Sequence, residues 1–230
     1  MSCNPMQSRV QRMKQAWDER ERQIGLTKRA VLFKRFPTVV NELIHRRHLR
    51  FVLQNIPDNA EQLLDVGCGY GRISREIKNR APAISLQGVD LCTEFAIAYE
   101  KQIGPCFSGP IQEFSTNSRF DAIIVVTCLM YLDVDEHRPT LQRLWTMLNP
   151  RGCLICIEPA IEVLHLWRRV TGRAHASPTG GSVCHFRLSD LSQLCTDLPQ
   201  SSLQATASVN LIPYLAVSAL HHGVAVKKGS

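Results

Sequence analysis

Apolar and polar positions follow two rhythms along the 230 residues. Short unbroken apolar runs read as strands buried on both faces of a parallel sheet, and Phe120 through Val126 is the clearest, being continuous and β-branched. Others are Leu63-Leu64 with Val66, the stretch 85–90, Cys106-Phe107-Ser108 and 153–157. Between these runs apolar residues recur three or four apart, which predicts helices from Ile73 through Ile77, over 93–102 and over 136–148. Ser189-Asp190 reads as an N-cap for a helix over 191–195, and strand-like segments over 204–212 and 222–228 close the chain. Ahead of the first strand, Met6, Val10, Met13 and Trp17 stripe one face of a helix spanning 6–30. A second helix over 38–55 has Pro37 near its first turn and Pro57 at its end.

The first strand runs into a loop that carries chemistry: Asp65-Val66-Gly67-Cys68-Gly69-Tyr70-Gly71. Three glycines let the chain turn through conformations closed to other residues and let a ligand approach the backbone. The spacing is G-x-G-x-G, not the G-x-G-x-x-G of dinucleotide sites, and Asp65 stands two residues before the first glycine. A carboxylate there repels a pyrophosphate and suits a sulfonium or ammonium centre. The second strand ends in Asp90, nineteen positions after Gly71, where a carboxylate can accept from both hydroxyls of a ribose.

This pattern resembles the first motifs of the class I, Rossmann-like S-adenosylmethionine-dependent methyltransferases, over about residues 60–160. Phe120-Asp121 before the fourth strand and Leu148-Asn149-Pro150-Arg151-Gly152 before the fifth strengthen the likeness. The resemblance implies an α/β fold with a seven-stranded, mostly parallel sheet, its last strand antiparallel, helices on both faces and an N-terminal helical cap. It implies a cap over 1–56, a cofactor domain over 57–230, and a substrate-side insertion at about 160–187, comprising a helix over 161–170 and a small polar lid loop over 177–182. S-adenosylmethionine would be held by Asp65, Gly67, Cys68, Gly69, Gly71, Asp90, Leu91, Ile111, Gln112, Thr127 and Cys128. The sequence departs from the family at Pro110, where an acidic acceptor for the adenine amino group is usual. Ile111 then offers its N–H and an apolar face, with Gln112 or Glu113 as substitute acceptor. Asp121 is expected to brace the sheet.

Composition narrows the partners. Hydrophobic residues make up 44% and charged residues 20%, ordinary for one globular domain, and no apolar run approaches the eighteen or so residues of a membrane span. The N-terminus lacks the apolar core of a signal peptide, so a cytoplasmic location is expected. Residues 1–50 hold twelve Lys/Arg against four Asp/Glu, giving +8, so the remainder sums to −1 of the total +7. That arm is solvated, attracts an acidic carrier, anionic lipid surface or anionic substrate, or touches RNA. With aromatics at only 7% and no recognisable binding module, nucleic acid is the least expected. Of the nine cysteines, Cys68, Cys92, Cys106, Cys128, Cys153 and Cys156 read as small hydrophobes in or beside core segments, and Cys153 and Cys156 fall on opposite faces of a strand; no metal set is expected.

The expected activity is methyl transfer to a small molecule, whether a secondary metabolite, a lipid-like or a carrier-bound acceptor, at oxygen, nitrogen or carbon. An RNA or protein methyltransferase and a non-catalytic S-adenosylmethionine-binding partner are the alternatives. Glycine spacing and Asp65 stand against a nicotinamide enzyme. The fourth strand's tip lacks Asn/Asp-Pro-Pro-Tyr and an acidic cluster for Mg²⁺, which disfavours adenine-amino targets and metal-dependent catechol chemistry. For a general base, histidine is the natural choice. His185 ranks first and His165 second; His137 and His175 also lie in segments expected near the substrate mouth. Tyr131 and Glu158 are candidates to orient the acceptor, and Arg187 to pair with an anionic group. Trp17 and Phe36 either cap the cleft or pack on the sheet's rim.

Overall fold

The computed structural model describes residues 5–32, 37–162, 164–165, 183–210 and 219–230. Seven strands form one sheet: β1 (Gln62–Val66), β2 (Ser85–Asp90), β3 (Cys106–Ser108), β4 (Phe120–Val126), β5 (Leu148–Pro159), β6 (Ser201–Asn210) and β7 (Ala219–Lys228). Their order is β3-β2-β1-β4-β5-β7-β6, with β7 antiparallel to both neighbours and the other pairs parallel. The chain winds outward in both directions from the β1/β4 pair. The crevice beyond these two strand tips is the topological switch point, where open α/β sheets bind ligands.

Period-two alternation sorts the sheet into two cores. Leu64, Val66, Ile123, Val125 and Cys156 face α6 (Val134–Thr146) and α7 (Leu188–Thr196). Leu63, Ala122, Ile124, Cys153 and Ile155 face α3 (Thr38–Asn55) and α4 (Ser74–Arg80). Cys153 and Cys156 thus fall on opposite faces, as their offset of three requires. Phe95 and Tyr99 of α5 (Thr93–Gln102) are fully buried beside β2 and β3. Asp121 joins three strands: it accepts from the amides of Glu61 (2.8 Å) and Gln62 (3.0 Å) and from Asn149 (2.8 Å).

Several boundaries differ from the sequence reading. The helix expected over 6–30 is two: α1 (Pro5–Ile24) and α2 (Lys28–Val31). Gly25 takes φ +71 and its N–H reaches the carbonyl of Glu21 at 2.6 Å, a left-handed C-cap that ends the first helix. The turn expected at 149–152 is absorbed into β5, where Arg151 at φ 65 marks the irregularity. Arg187, not Ser189 or Asp190, is the N-cap of α7. The final strands begin earlier than expected, at Ser201 and Ala219, and residues 211–212 lie outside the described residues. Of the helix expected over 161–170, residues 161–162 and 164–165 are helical, and the rest, the 177–182 loop, Phe36 and His175 lie outside the described residues. The two N-terminal helices have different places: α1 crosses the strand tips, whereas α3 packs on β5, β6 and β7.

A buried guanidinium ties α3 to the glycine loop. Arg72 approaches Nδ1 of His45 (3.3 Å) and of His48 (3.2 Å). The His48 ring meets the His221 ring edge-on at 4.5 Å. Burial, then neighbouring positive charge, pushes His45 down to about 4 and His221 to about 3, so both rings are neutral near pH 7.

All three loop glycines take positive φ, and the third has the least room for a side chain. Gly71 has φ +84, and a Cβ there would run into Ile103 Cδ1 and lie 3.1 Å from the Tyr99 ring. Gly71→Ala is expected to cost about 2 kcal/mol and lower the melting temperature by roughly 4–8 °C. An unchanged melting curve would show that the loop relaxes at no cost.

Candidate functional site

A cleft with an empty volume of about 790 Å³, counting its open mouth, lies over the tips of β1, β2 and β4. Its floor is the glycine loop with Val89, Asp90 and Leu91; one end is 109–112 and the other Thr127, Cys128, Tyr131 and Leu132. The stripe of α1 supplies the roof through Arg9, Val10, Met13 and Trp17, with Val31 beside it.

Asp90 sets the geometry of the floor. One carboxylate oxygen accepts from the amide of Gly69 at 2.7 Å and the other from that of Cys92 at 2.8 Å. Burial nevertheless raises the carboxyl to about 6, against the pull of these two amides. The loop's own amides are consumed internally: Gly67 and Cys68 donate to the carbonyl of Val89 (2.8 and 3.1 Å) and Gly71 to that of Cys68 (3.0 Å). A loop so satisfied does not present the cluster of amides that cradles a pyrophosphate.

At the tip of β4 the chain turns sharply at Thr127, a left-handed residue at φ 54. The turn is held by a buried carboxylate. Glu158 at the end of β5 accepts from the amides of Cys128 (3.0 Å), Leu129 (2.8 Å) and Met130 (3.1 Å). Burial lifts it to about 8 despite those donors.

The roof is latched at both sides. Arg9 pairs with Asp133 and with Glu136 (3.0 Å), and donates to the carbonyl of Tyr131 (2.8 Å). Asp133 and Glu136 are also the capping box of α6, and Glu136 accepts from the Gln112 side chain at 3.0 Å. Opposite, Lys14 bridges Asp18 (2.9 Å) and the hydroxyl of Thr93 (2.7 Å). Trp17 meets Tyr131 edge-on at 5.3 Å.

Of the residues expected to contact a cofactor, Gly67, Gly69, Asp90, Leu91, Ile111, Gln112, Thr127 and Cys128 line the cleft. Asp65, Cys68 and Gly71 do not. Asp65 shares the face of Leu63, lies buried under α4 and accepts from Ser74 Oγ at 2.6 Å, which in turn accepts from Tyr99 at 3.0 Å. Burial raises it to about 6. Cys68 Sγ turns away toward Cys106 Sγ, 3.7 Å off.

The histidines are displaced as well. Neither His185, whose Nδ1 lies 3.2 Å from the Val183 carbonyl, nor His165, which is exposed, reaches the cleft. His137 is buried against the carbonyl of Leu129 at 2.9 Å. Glu158 is spent on backbone, and Arg187 is exposed. Among the described catalytic candidates Tyr131 alone lines the cleft, with its phenol pushed up to about 12 by burial. Burial raises the Cys128 thiol too. Arg9 and Val10 also line the cleft; Val10 belongs to the apolar stripe of α1, whereas nothing in the stripe points to Arg9.

The fold is Rossmann-like, with the seven-stranded sheet and antiparallel last strand of the class I methyltransferase fold. Residues 63–152 match the family model described as a methyltransferase domain. Malonyl-[acyl-carrier protein] O-methyltransferase of Hahella chejuensis is 24% identical over 124 residues, covering 51% of this chain and 44% of that protein. Trans-aconitate 2-methyltransferase of Deinococcus radiodurans is 31% identical over 102 residues, covering 43% and 38%. The matches span less than half the length of these relatives. The crystal structure of N-methyltransferase NodS from Bradyrhizobium japonicum, in complex with S-adenosyl-L-homocysteine, superposes with a TM-score of 0.66 at 16% identity, covering 94% of this chain and 99% of that one. The match to a methyltransferase domain thus lies over residues 63–152, and the fold of the chain is the one that structure shares.

The carboxylate that holds the β4 turn gives a direct test. Glu158→Ala orphans three amides in a dry site and is expected to cost roughly 3 kcal/mol, lowering the melting temperature by about 6–12 °C. A loss under 1 °C would mean that the turn holds without its acceptor.

Proposed function

We propose that this protein transfers a methyl group from S-adenosylmethionine to a small-molecule acceptor whose attacking atom is nucleophilic at neutral pH without first losing a proton. The observation that carries the cofactor half is the Asp90 carboxylate at the β2 tip, beside a glycine loop whose amides are spent internally. A carboxylate at that place accepts from ribose hydroxyls. Ile111 and Leu91 supply apolar faces for an adenine ring, with Gln112 beside them. The methionine portion would lie along Gly67, Gly69, Thr127 and Cys128.

When bound, S-adenosylmethionine supplies a methyl on a positively charged sulfur, an electrophile that needs no activation. The residues of the chain position, shield and orient. The roof of α1 excludes water, and holding both reactants in line converts a bimolecular step to an intramolecular one. Trp17 and Tyr131 frame the methyl end and orient the acceptor. Among the described residues no histidine lines the cleft, and the Tyr131 phenol stays protonated at pH 7. A phenol or alcohol acceptor would need a base; a carboxylate or a neutral amine does not. The Hahella chejuensis relative, by its name an O-methyltransferase of a malonyl carrier protein, supports a carboxylate first. Such an acceptor is free or carrier-bound.

The RNA alternative draws on the basic arm, but much of that charge is used inside the protein. Arg9, Lys14, Lys28 and Arg46 pair with carboxylates, and Arg20 is spent on the carbonyls of Arg29 and Leu32. That leaves a weak footprint for phosphates.

Calorimetric titration tests the reading. S-adenosylmethionine and S-adenosylhomocysteine are expected to bind, and NADH not to. An adenosyl ligand favours the ionised Asp90, so binding releases a proton: affinity is full above about pH 6 and falls below it. About a tenfold loss is expected between pH 7 and pH 5. Asp90→Asn should bind roughly tenfold more weakly at pH 7 and lose that pH dependence. Binding of NADH in place of the adenosyl ligands would overturn the proposal.

A further inference from the structure

A second concavity shares no residue with the cofactor cleft. It lies between α3 and the edge of the sheet formed by β5, β7 and β6. Phe51, Ile157 and Val209 form its floor, and Arg46, Arg47 and Arg50 its rim. Arg50 stands four residues after Arg46 and three after Arg47 on α3, and all three line the same opening. Arg46 is neutralised by Glu42 at 3.0 Å. Arg47 and Arg50 make no hydrogen bond or ion pair with any of the described residues.

The dimensions select the kind of occupant. The groove has an empty volume of about 950 Å³, counting its open side, and eleven residues line it. A specific protein partner engages about 20–30 residues a side, whereas small-molecule sites run to about 300–1,000 Å³. Apolar walls favour an aliphatic body, and paired guanidinia favour an anion that accepts from two forks at once. Among the described residues Gln54 and Ser208 are the only neutral polar ones in the lining, and Ser208 Oγ is already engaged with His222 Nδ1 at 2.9 Å.

We propose that this groove binds a single anionic amphiphile, an aliphatic chain seated on Phe51, Ile157 and Val209 with its anionic head held by Arg47 and Arg50. The site is separate from methyl transfer, so its test stands or falls independently of the cofactor reading. The probe is dodecyl phosphate, titrated calorimetrically below its micelle-forming concentration. One saturable site is expected. The charge-reversed double variant Arg47→Glu/Arg50→Glu should weaken it by about tenfold or more. Ala207→Trp, which fills the groove from β6, should abolish it. Both variants should keep wild-type affinity for S-adenosylhomocysteine, which shows that they are folded.

Three control ligands define what overturns the proposal. Equal binding of dodecyltrimethylammonium would mean a merely greasy surface. Equal binding of inorganic phosphate would mean a bare anion patch. Arginine-dependent binding to phosphatidylglycerol vesicles without binding of the monomeric amphiphile would make this face a membrane contact. Absence of dodecyl phosphate binding, or binding indifferent to the variants, would sink it outright.

Discussion

The contact on which the site depends is a single hydrogen bond, from the amide of Gly69 to the carboxylate of Asp90, 2.7 Å long. It joins the loop after β1 to the tip of β2, the two elements that bracket the topological switch point. Because the amides of Gly67 and Cys68 donate to Val89 of β2 and that of Gly71 to Cys68, the glycine loop is shaped by β2 and by its own backbone. Asp90 keeps lone pairs on both oxygens while accepting two backbone amides. A ligand that supplies two hydroxyls completes that carboxylate without displacing anything.

The same economy appears at the other strand tips. Glu158 is buried, with its acceptor capacity directed at three successive amides, so the turn after β4 is fixed by β5 rather than by its own sequence. Arg9 reaches from α1 to the capping box of α6, where Glu136 also receives Gln112. The roof, the end of the cleft at 109–112 and the start of α6 thus share one acidic anchor. Among the described residues of the lining there is no histidine.

The strands were legible because unbroken β-branched runs such as Ile123 through Val126 have few other uses. Asp90 was legible because its place depends only on strand length and spacing from the loop. Asp65 was misread because proximity to the glycines was weighed above alternation: it shares the face of Leu63, which packs under α4, while Leu64 and Val66 face the other core. Gly25 was passed over because apolar Ile24 and Leu26 flank it and prolong the helical stripe. His185 and His165 could not be placed from sequence, since a catalytic position is set by how a distant segment docks. The roof was half legible, in that the stripe of Val10, Met13 and Trp17 fixed an apolar face but not what it would cover.

The most direct measurement is a crystal structure of the protein with S-adenosylhomocysteine. The ribose hydroxyls should lie within hydrogen-bond distance of Asp90, the adenine against Ile111, and the thioether beside Thr127 and Cys128 under an undisplaced α1. Adenosine bound away from Asp90, or a ligand that enters only when α1 leaves the strand tips, would contradict the account.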